Sequence, residues 1–255
     1  MGILELFRLD DRVAVVTGGG TGIGRGIALA LAEAGAHVAV AGRRAEPLDG
    51  VVAEIEARGR RALAVPTDVT VAADLERLAD RVSAELGPVS IWVNNAGGLQ
   101  GEPMGLLANT TEQSWHTTVD RNFTSVYLAG NAASRVLIDG GAIVNVSSTG
   151  AYTKGAPGHA VYCAAKVAVN HLTQSLALEL APRRIRVNAI APGHTATADY
   201  YRSSGFTDAQ FEKLASKQPL GRIGREEDYG AAVVYLVSEA ASWVTGQTLV
   251  VSGTP

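Results

Sequence analysis

The stretch Val13-Ala-Val-Val-Thr17-Gly-Gly-Gly-Thr-Gly-Ile-Gly24 decides the fold. Its first five residues form a short apolar run, long enough for a strand buried on both faces, and the glycines that follow open directly into an apolar helical pattern over 22–34. Glycines at such a handover let the backbone turn tightly and approach a pyrophosphate, whose charge meets the free N–H groups of the helix's first turn. The common dinucleotide spacing Gly-x-Gly-x-x-Gly does not fit, because counting from Gly18 and Gly20 puts the third position at Ile23. The spacing Thr-Gly-x-x-x-Gly-x-Gly does fit, through Gly18, Gly22 and Gly24. Its place between strand and helix distinguishes this turn from an ordinary tight turn.

Outward from that unit the same alternation repeats. Apolar runs at 13–17, 37–41, 62–65, 90–93, 142–146, 186–190 and 248–251 predict strands, and longer periodic segments at 22–34, 45–58, 71–86, 112–138, 160–180 and 226–238 predict helices. Alternating βα units imply an α/β fold, a single-domain, Rossmann-like, doubly wound parallel sheet of about seven strands with helices on both faces. Ligands of such sheets bind at the carboxyl ends of the strands, and each polar motif of this chain follows a strand. No linker or low-complexity segment divides residues 1–255. The longest stretch without a strand signal, 194–220 with Gly205 near its middle, predicts a substrate lid.

The bulk properties set limits. A chain of 255 residues that is 47% hydrophobic can bury one large core. A net charge of −3 with scattered Lys and Arg supplies no basic stripe, so no nucleic-acid partner is expected. Cys163 is the single cysteine, which leaves no intrachain disulfide and points to a reducing compartment. The N-terminal segment lacks a basic start and apolar stretch, and no apolar run reaches the roughly 18 residues of a membrane span. A soluble, cytoplasmic protein without a membrane partner is the expectation.

The second strand bears on the cofactor. NAD sites place an acid about 20 residues beyond the glycines to hold a ribose hydroxyl, whereas an arginine there accommodates the 2′-phosphate of NADP. Here the run reads Ala41-Gly-Arg43-Arg44, with no acid before Glu46. NADP(H) is therefore favoured over NAD(H), with Arg43 the first phosphate ligand and Arg44 the second. At the other end of the chain Tyr162 and Lys166 stand four apart in Ala160-Val-Tyr-Cys-Ala-Ala-Lys166, on one face of a predicted helix. A cation beside a phenol favours the phenolate and moves it toward general acid–base work.

With these motifs in hand the chain resembles the classical short-chain dehydrogenases/reductases over nearly its whole length. The resemblance is carried by Thr17–Gly24, Asp68-Val69, Asn94-Asn95-Ala96-Gly97, Asn122, Asn145-Val-Ser-Ser148, Tyr162-x-x-x-Lys166, Pro192-Gly193 and Val244-Thr-Gly-Gln247. It implies that Tyr162 exchanges a proton with the substrate oxygen, and that Lys166 lowers its pKa and holds the nicotinamide ribose. Ser148 would hydrogen-bond the same oxygen, and Asn122 would link Lys166 to solvent through water. Gly18, Thr21, Gly22, Ile23 and Gly24 would bind the cofactor phosphates, and Asp68 and Val69 would flank the adenine. Asn95, Ala96 and Gly97 would line the cofactor floor, while Ile190, Pro192, Gly193, Thr195 and Thr197 would border the nicotinamide. A homotetramer built on the long helices is also implied, as is a small-molecule carbonyl or alcohol substrate. The specific activities implied are those of a ketoreductase, a 3-oxoacyl-thioester reductase or a hydroxysteroid dehydrogenase; a non-catalytic dinucleotide-binding regulator is the alternative.

Departures from the family pattern mark what to look for. Fourteen positions separate Ser148 from Tyr162, where the family has about 13, so a one-residue bulge is expected between them, with Ser147 and Thr149 as alternative hydroxyls. Thr195 stands where an aliphatic residue is common, and its hydroxyl is expected to face the cofactor. Cys163 is turned about 100° around the helix from Tyr162 and reads as a buried structural thiol. The histidines at 37, 116, 159, 171 and 194 show no ligand spacing, so no metal is expected. Gly98, Leu99, Met104, Tyr152 and Lys154 are expected in loops facing the substrate, and Tyr200 and Tyr201 in the lid.

Overall fold

The computed structural model describes residues 2–99, 105–197 and 207–254. Its seven strands are β1 (Val13–Thr17), β2 (His37–Gly42), β3 (Ala62–Pro66), β4 (Val89–Asn94), β5 (Leu137–Val146), β6 (Arg186–Pro192) and β7 (Thr248–Val251). They form one sheet in the order β3-β2-β1-β4-β5-β6-β7, every pair parallel. The order reverses between β1 and β4, which opens a crevice at their carboxyl ends.

The helices are α1 (Gly22–Glu33), α2 (Ala45–Glu56), α3 (Ala72–Glu85), α4 (Glu112–Val119), α5 (Ser125–Val136), α6 (Ala160–Leu180), α7 (Asp208–Ser216) and α8 (Glu227–Val237). Strand alternation splits the core into two layers. Ala14 and Val16 of β1 pack with Ile27 and Leu31 of α1, Leu48 and Ile55 of α2 and Val233 of α8, while Val13 and Val15 pack with Leu75 and Leu78 of α3 and Ala177 of α6. Burying each Val, Leu or Ile contributes about 1.5–3 kcal/mol, so the two faces fix the register of the sheet. Two arginines close the opposite end. Arg12 donates to the carbonyl of Val237 at 2.7 Å and Arg186 to those of Leu236 and Ser238, which satisfies the last carbonyls of α8 and complements its dipole.

One sequence expectation is corrected. The helix read over 112–138 is interrupted by a π-helical turn at Asp120–Thr124 and ends at Val136, because Leu137 turns extended and pairs with Val89 as the start of β5. Gly140, at φ 82°, then bends the chain before the buried run from Gly141. The stretch 194–220 contains α7, whose N-cap Thr207 and Gln210 form a reciprocal capping box, and Thr195 bridges to Gly224. Met104, Tyr200, Tyr201 and Gly205 lie outside the described residues.

Candidate active site

A cleft of about 1060 Å³ runs across the carboxyl ends of the strands. Its first wall is the β1–α1 turn. Gly18 has φ 64° and lies so close to β4 that a Cβ there would sit 2.8 Å from Asn95 Nδ2; a Cβ on Gly24 would meet the Gly18 carbonyl oxygen at 2.1 Å. Asn95 Nδ2 donates to the carbonyls of Thr17 (3.0 Å) and Gly18 (3.2 Å), while Thr17 Oγ1 accepts from the N–H groups of Asn95 and Ala96 at 3.1 Å each. The glycines thus let β1, α1 and the end of β4 lock together. Thr21, the N-cap of α1, makes no side-chain cap bond, and by helix geometry the first-turn amides of Gly22, Ile23 and Gly24 have no intrahelical acceptor. That end suits an anion.

Along the cleft floor Arg43 and Arg44 follow β2, both exposed, with Arg44 at the N-cap of α2. Asp68 and Val69 follow β3; Asp68 Oδ1 accepts from the N–H and hydroxyl of Thr70 at 2.9 and 2.7 Å, which orients the carboxylate along the loop. Gly97 lies over Asn122, and a Cβ there would be 3.1 Å from Asn122 Oδ1 and 3.5 Å from Lys166 Nζ.

At the far end β5 and α6 bring Ser148, Tyr162 and Lys166 together. Ser148 accepts from the N–H of Gly150 at 3.0 Å and caps a short 3₁₀ helix, Thr149–Tyr152, which takes up the extra residue between Ser148 and Tyr162. Ser147 is buried, its hydroxyl donating to the Lys166 carbonyl, so it is turned away from Tyr162. Burial pushes the Tyr162 phenol up, and a hydrogen bond with Ser148 pulls it down. Burial lowers the Lys166 ammonium from 10.5 to about 8. The anticipated lowering of Tyr162 by Lys166 is not seen: Lys166 Nζ lies 5.7 Å from the ring centre and donates instead to the Val146 carbonyl at 2.9 Å.

Other expectations divide. Pro192, Gly193, Thr195 and Thr197 line the cleft, and Thr197 meets the start of α1, where a Cβ on Gly22 would be 3.2 Å from its methyl. The Thr195 hydroxyl does not face a cofactor: it is bonded to the Gly193 carbonyl and, at 2.5 Å, to the Tyr229 hydroxyl. Ile190 is fully buried in the core instead of bordering the cleft. Asn122 is fully buried in the π-helical turn, where Oδ1 accepts from Gly98 N–H at 2.8 Å and Nδ2 donates to the carbonyls of Gly98 and Thr118. It clamps the loop after β4. Cys163, read as buried, is only partly so and lines the cleft. Gly98 and Leu99 line the cleft as expected, whereas Tyr152 is exposed and outside its lining. The sequence reading missed Asp120 and Arg121 as cleft residues; adjacency to Asn122 was the one available signal.

A nicotinamide dinucleotide fits this cradle, since a helix start without a side-chain cap, close backbone approach and the Ser148, Tyr162 and Lys166 side chains lie along one groove. Comparison with known proteins agrees. The family model described as "Enoyl-(Acyl carrier protein) reductase" matches residues 18–253. A cis-4-hydroxycyclohexanecarboxylate dehydrogenase of Sinomonas cyclohexanicum is 41% identical over 248 residues, 95% of this chain and 96% of that protein. A 2,3-dihydro-2,3-dihydroxybenzoate dehydrogenase of Bacillus subtilis is 34% identical, covering 96% of each. The structure of a 7α-hydroxysteroid dehydrogenase complexed with NADH and 7-oxo glycochenodeoxycholic acid superposes with a TM-score of 0.90 at 35% identity, over 99% of this chain and 97% of that one. The seven-stranded parallel sheet, the groove at its switch point and these relatives together establish that the chain belongs to the classical short-chain dehydrogenase/reductase family and is an NAD(P)-dependent oxidoreductase acting on CH–OH groups.

Proposed function

We propose that the chain is a single catalytic domain, residues 1–255 with a lid near 194–220, that interconverts a ring-bearing secondary alcohol and its ketone with NADP(H). The observation that carries this reading is that Ser148, Tyr162 and Lys166 line the same cleft as the Gly18–Gly24 turn. When bound, the nicotinamide supplies the hydride acceptor or donor. Tyr162 takes the hydroxyl proton in oxidation and returns it in reduction. Ser148 donates to the same oxygen and so stabilises the charge that develops there. Lys166, pinned to Val146, sets the position of α6 and supplies a cation near the cofactor ribose. Asn122 holds Gly98 and with it the cleft floor.

NADP(H) preference is supported by Arg43 and Arg44 at the β2 end, with no carboxylate between Gly42 and Ala45. The ring-bearing substrate class is supported by relatives named for a hydroxycyclohexanecarboxylate and a hydroxysteroid. Exposed Trp115, Tyr127 and Leu178 on α4, α5 and α6, with Trp243, Leu249 and Val250 at the β7 edge, suit association into a homotetramer. No described helix is long and apolar enough to cross a membrane. A cytoplasmic location suits the single cysteine. The test is a panel of ring alcohols and ketones, 4-hydroxycyclohexanecarboxylate and its carboxamide among them, followed by NADPH absorbance. Turnover of ring alcohols upholds the reading, and cofactor binding without turnover of any member contradicts it.

A further inference from the structure

Tyr229 of α8 is buried in the core layer that holds Ile27 and Val233, yet its hydroxyl oxygen lies 2.5 Å from Thr195 Oγ1, which is buried as well. Thr195 Oγ1 donates to the Gly193 carbonyl at 2.9 Å. A threonine hydroxyl has one proton, so the Tyr229 hydroxyl is the donor of the shorter bond. A relay thus runs from α8 through Thr195 to the backbone of Gly193. It has little slack, since a Cβ on Gly224 would lie 2.6 Å from the Tyr229 hydroxyl oxygen. Gly224 in turn brackets Thr195: its N–H donates to the His194 carbonyl at 2.8 Å, and its carbonyl accepts from Ala196 N–H at 2.9 Å.

The segment held in this way joins the two ends of the cleft. It leaves the sheet beside Ser148, where Ser147 N–H donates to the Ile190 carbonyl at 2.8 Å, and its far end, Thr197, meets the start of α1 at Gly22. Pro192, Gly193, Thr195 and Thr197 all line the cleft, whereas Tyr229 does not. A dinucleotide with its phosphates at the first turn of α1 passes its nicotinamide half along this wall to reach Tyr162. A phenyl ring alone would fill the core at position 229. The hydroxyl adds a desolvation cost, which the bond to Thr195 offsets, and it is the only part of the side chain that holds the wall.

The geometry points to Tyr229 as a positioning residue: acting through Thr195, it fixes the wall from Gly193 to Thr197 and so sets how tightly the nicotinamide half of the cofactor is held. This rests on the chain being an NAD(P)-dependent oxidoreductase and not on which alcohol it oxidises, because the test reads binding. Calorimetric titration is run on the wild type, Tyr229→Phe, Thr195→Val and the double variant. The probes are NADPH or NADH, whichever the wild type binds more tightly, and the matching nicotinamide-free fragment, adenosine 2′,5′-bisphosphate or ADP. Denaturant melts of each protein are recorded alongside.

Each single variant should bind the whole cofactor about tenfold more weakly, and the fragment within about twofold of wild type. The double variant should lose no more than either single one, because both substitutions break the same relay. Whole-cofactor affinity within twofold of wild type in the folded single variants would overturn the proposal. So would equal weakening of cofactor and fragment, the mark of a purely structural role, or losses that add in the double variant. If a single variant fails to fold, the double variant decides, since it leaves no hydroxyl buried without its partner. A loss confined to the whole cofactor there upholds the role of Tyr229, and its absence overturns it.

Discussion

Lys166 Nζ donates to the carbonyl of Val146 at 2.9 Å, which ties the middle of α6 to the end of β5 two residues before Ser148. That bond fixes the register in which Tyr162 meets Ser148, at a cost. An ammonium held at about 8 instead of 10.5 opposes folding by roughly 3 kcal/mol wherever the unfolded chain is protonated and the folded one resists it. The sign follows: the penalty is full below pH 8 and is relieved as pH rises toward 10.5. Lys166→Met should therefore abolish turnover yet stabilise the protein at pH 7 by about 1–2 kcal/mol, after allowing about 1 kcal/mol for the lost hydrogen bond. Denaturant melts at pH 7 and pH 10 check this, the gain shrinking at the higher pH.

Ser148 is the group that lowers the Tyr162 pKa. Its loss should raise that pKa, so in Ser148→Ala the alkaline rise of the oxidation rate should move to higher pH, with kcat down by about 100-fold. A pH–rate profile reads both effects. Ser147→Ala removes a hydroxyl that donates to the Lys166 carbonyl and should not move the profile in that way.

Arg43 stands at the end of β2 where a cofactor 2′-phosphate would be read. A charge-assisted bond contributes about 1.5–3 kcal/mol, and a carboxylate in its place adds repulsion. Arg43→Asp should shift the ratio of kcat/KM for NADP⁺ over NAD⁺ by at least about tenfold toward NAD⁺. Steady-state kinetics with both cofactors measures it, and an unchanged ratio removes Arg43 from phosphate recognition.

Gly24 leaves no room for a side chain, since a Cβ would meet the Gly18 carbonyl oxygen at 2.1 Å. Gly24→Ala should force apart the β1–α1 turn and Asn95, with a loss of about 1–3 kcal/mol in stability and weakened dinucleotide binding. Denaturant melts and fluorescence titration with NADPH follow the two effects.

The strands were legible because buried parallel strands are short apolar runs, and β1 and β7 coincide with the predicted bounds. The end of α5 was not, since Leu137 and Ile138 continue an apolar helical pattern, and only their pairing beside β4 makes Leu137 extended. The π-helical turn has no periodicity signal of its own, although such turns favour functional sites. In α7 the signal was present, Thr207-x-x-Gln210 being a capping box. Within the cleft, motif spacing brought the glycines, Ser148, Tyr162 and Lys166 to one place. What it could not supply was the direction of polar side chains: Thr195 turns inward because Tyr229, 34 residues on, accepts or donates there, and Lys166 turns to Val146 instead of the phenol.

The role proposed for Tyr162 is that of the proton-exchanging group of an NAD(P)-linked alcohol oxidation. Its most direct test is Tyr162→Phe, assayed by single-turnover hydride transfer with NADPH affinity titrated in parallel. The rate should fall by about 100-fold or more, with cofactor affinity within about twofold of wild type. Wild-type hydride transfer in that variant, with cofactor affinity intact, would contradict it.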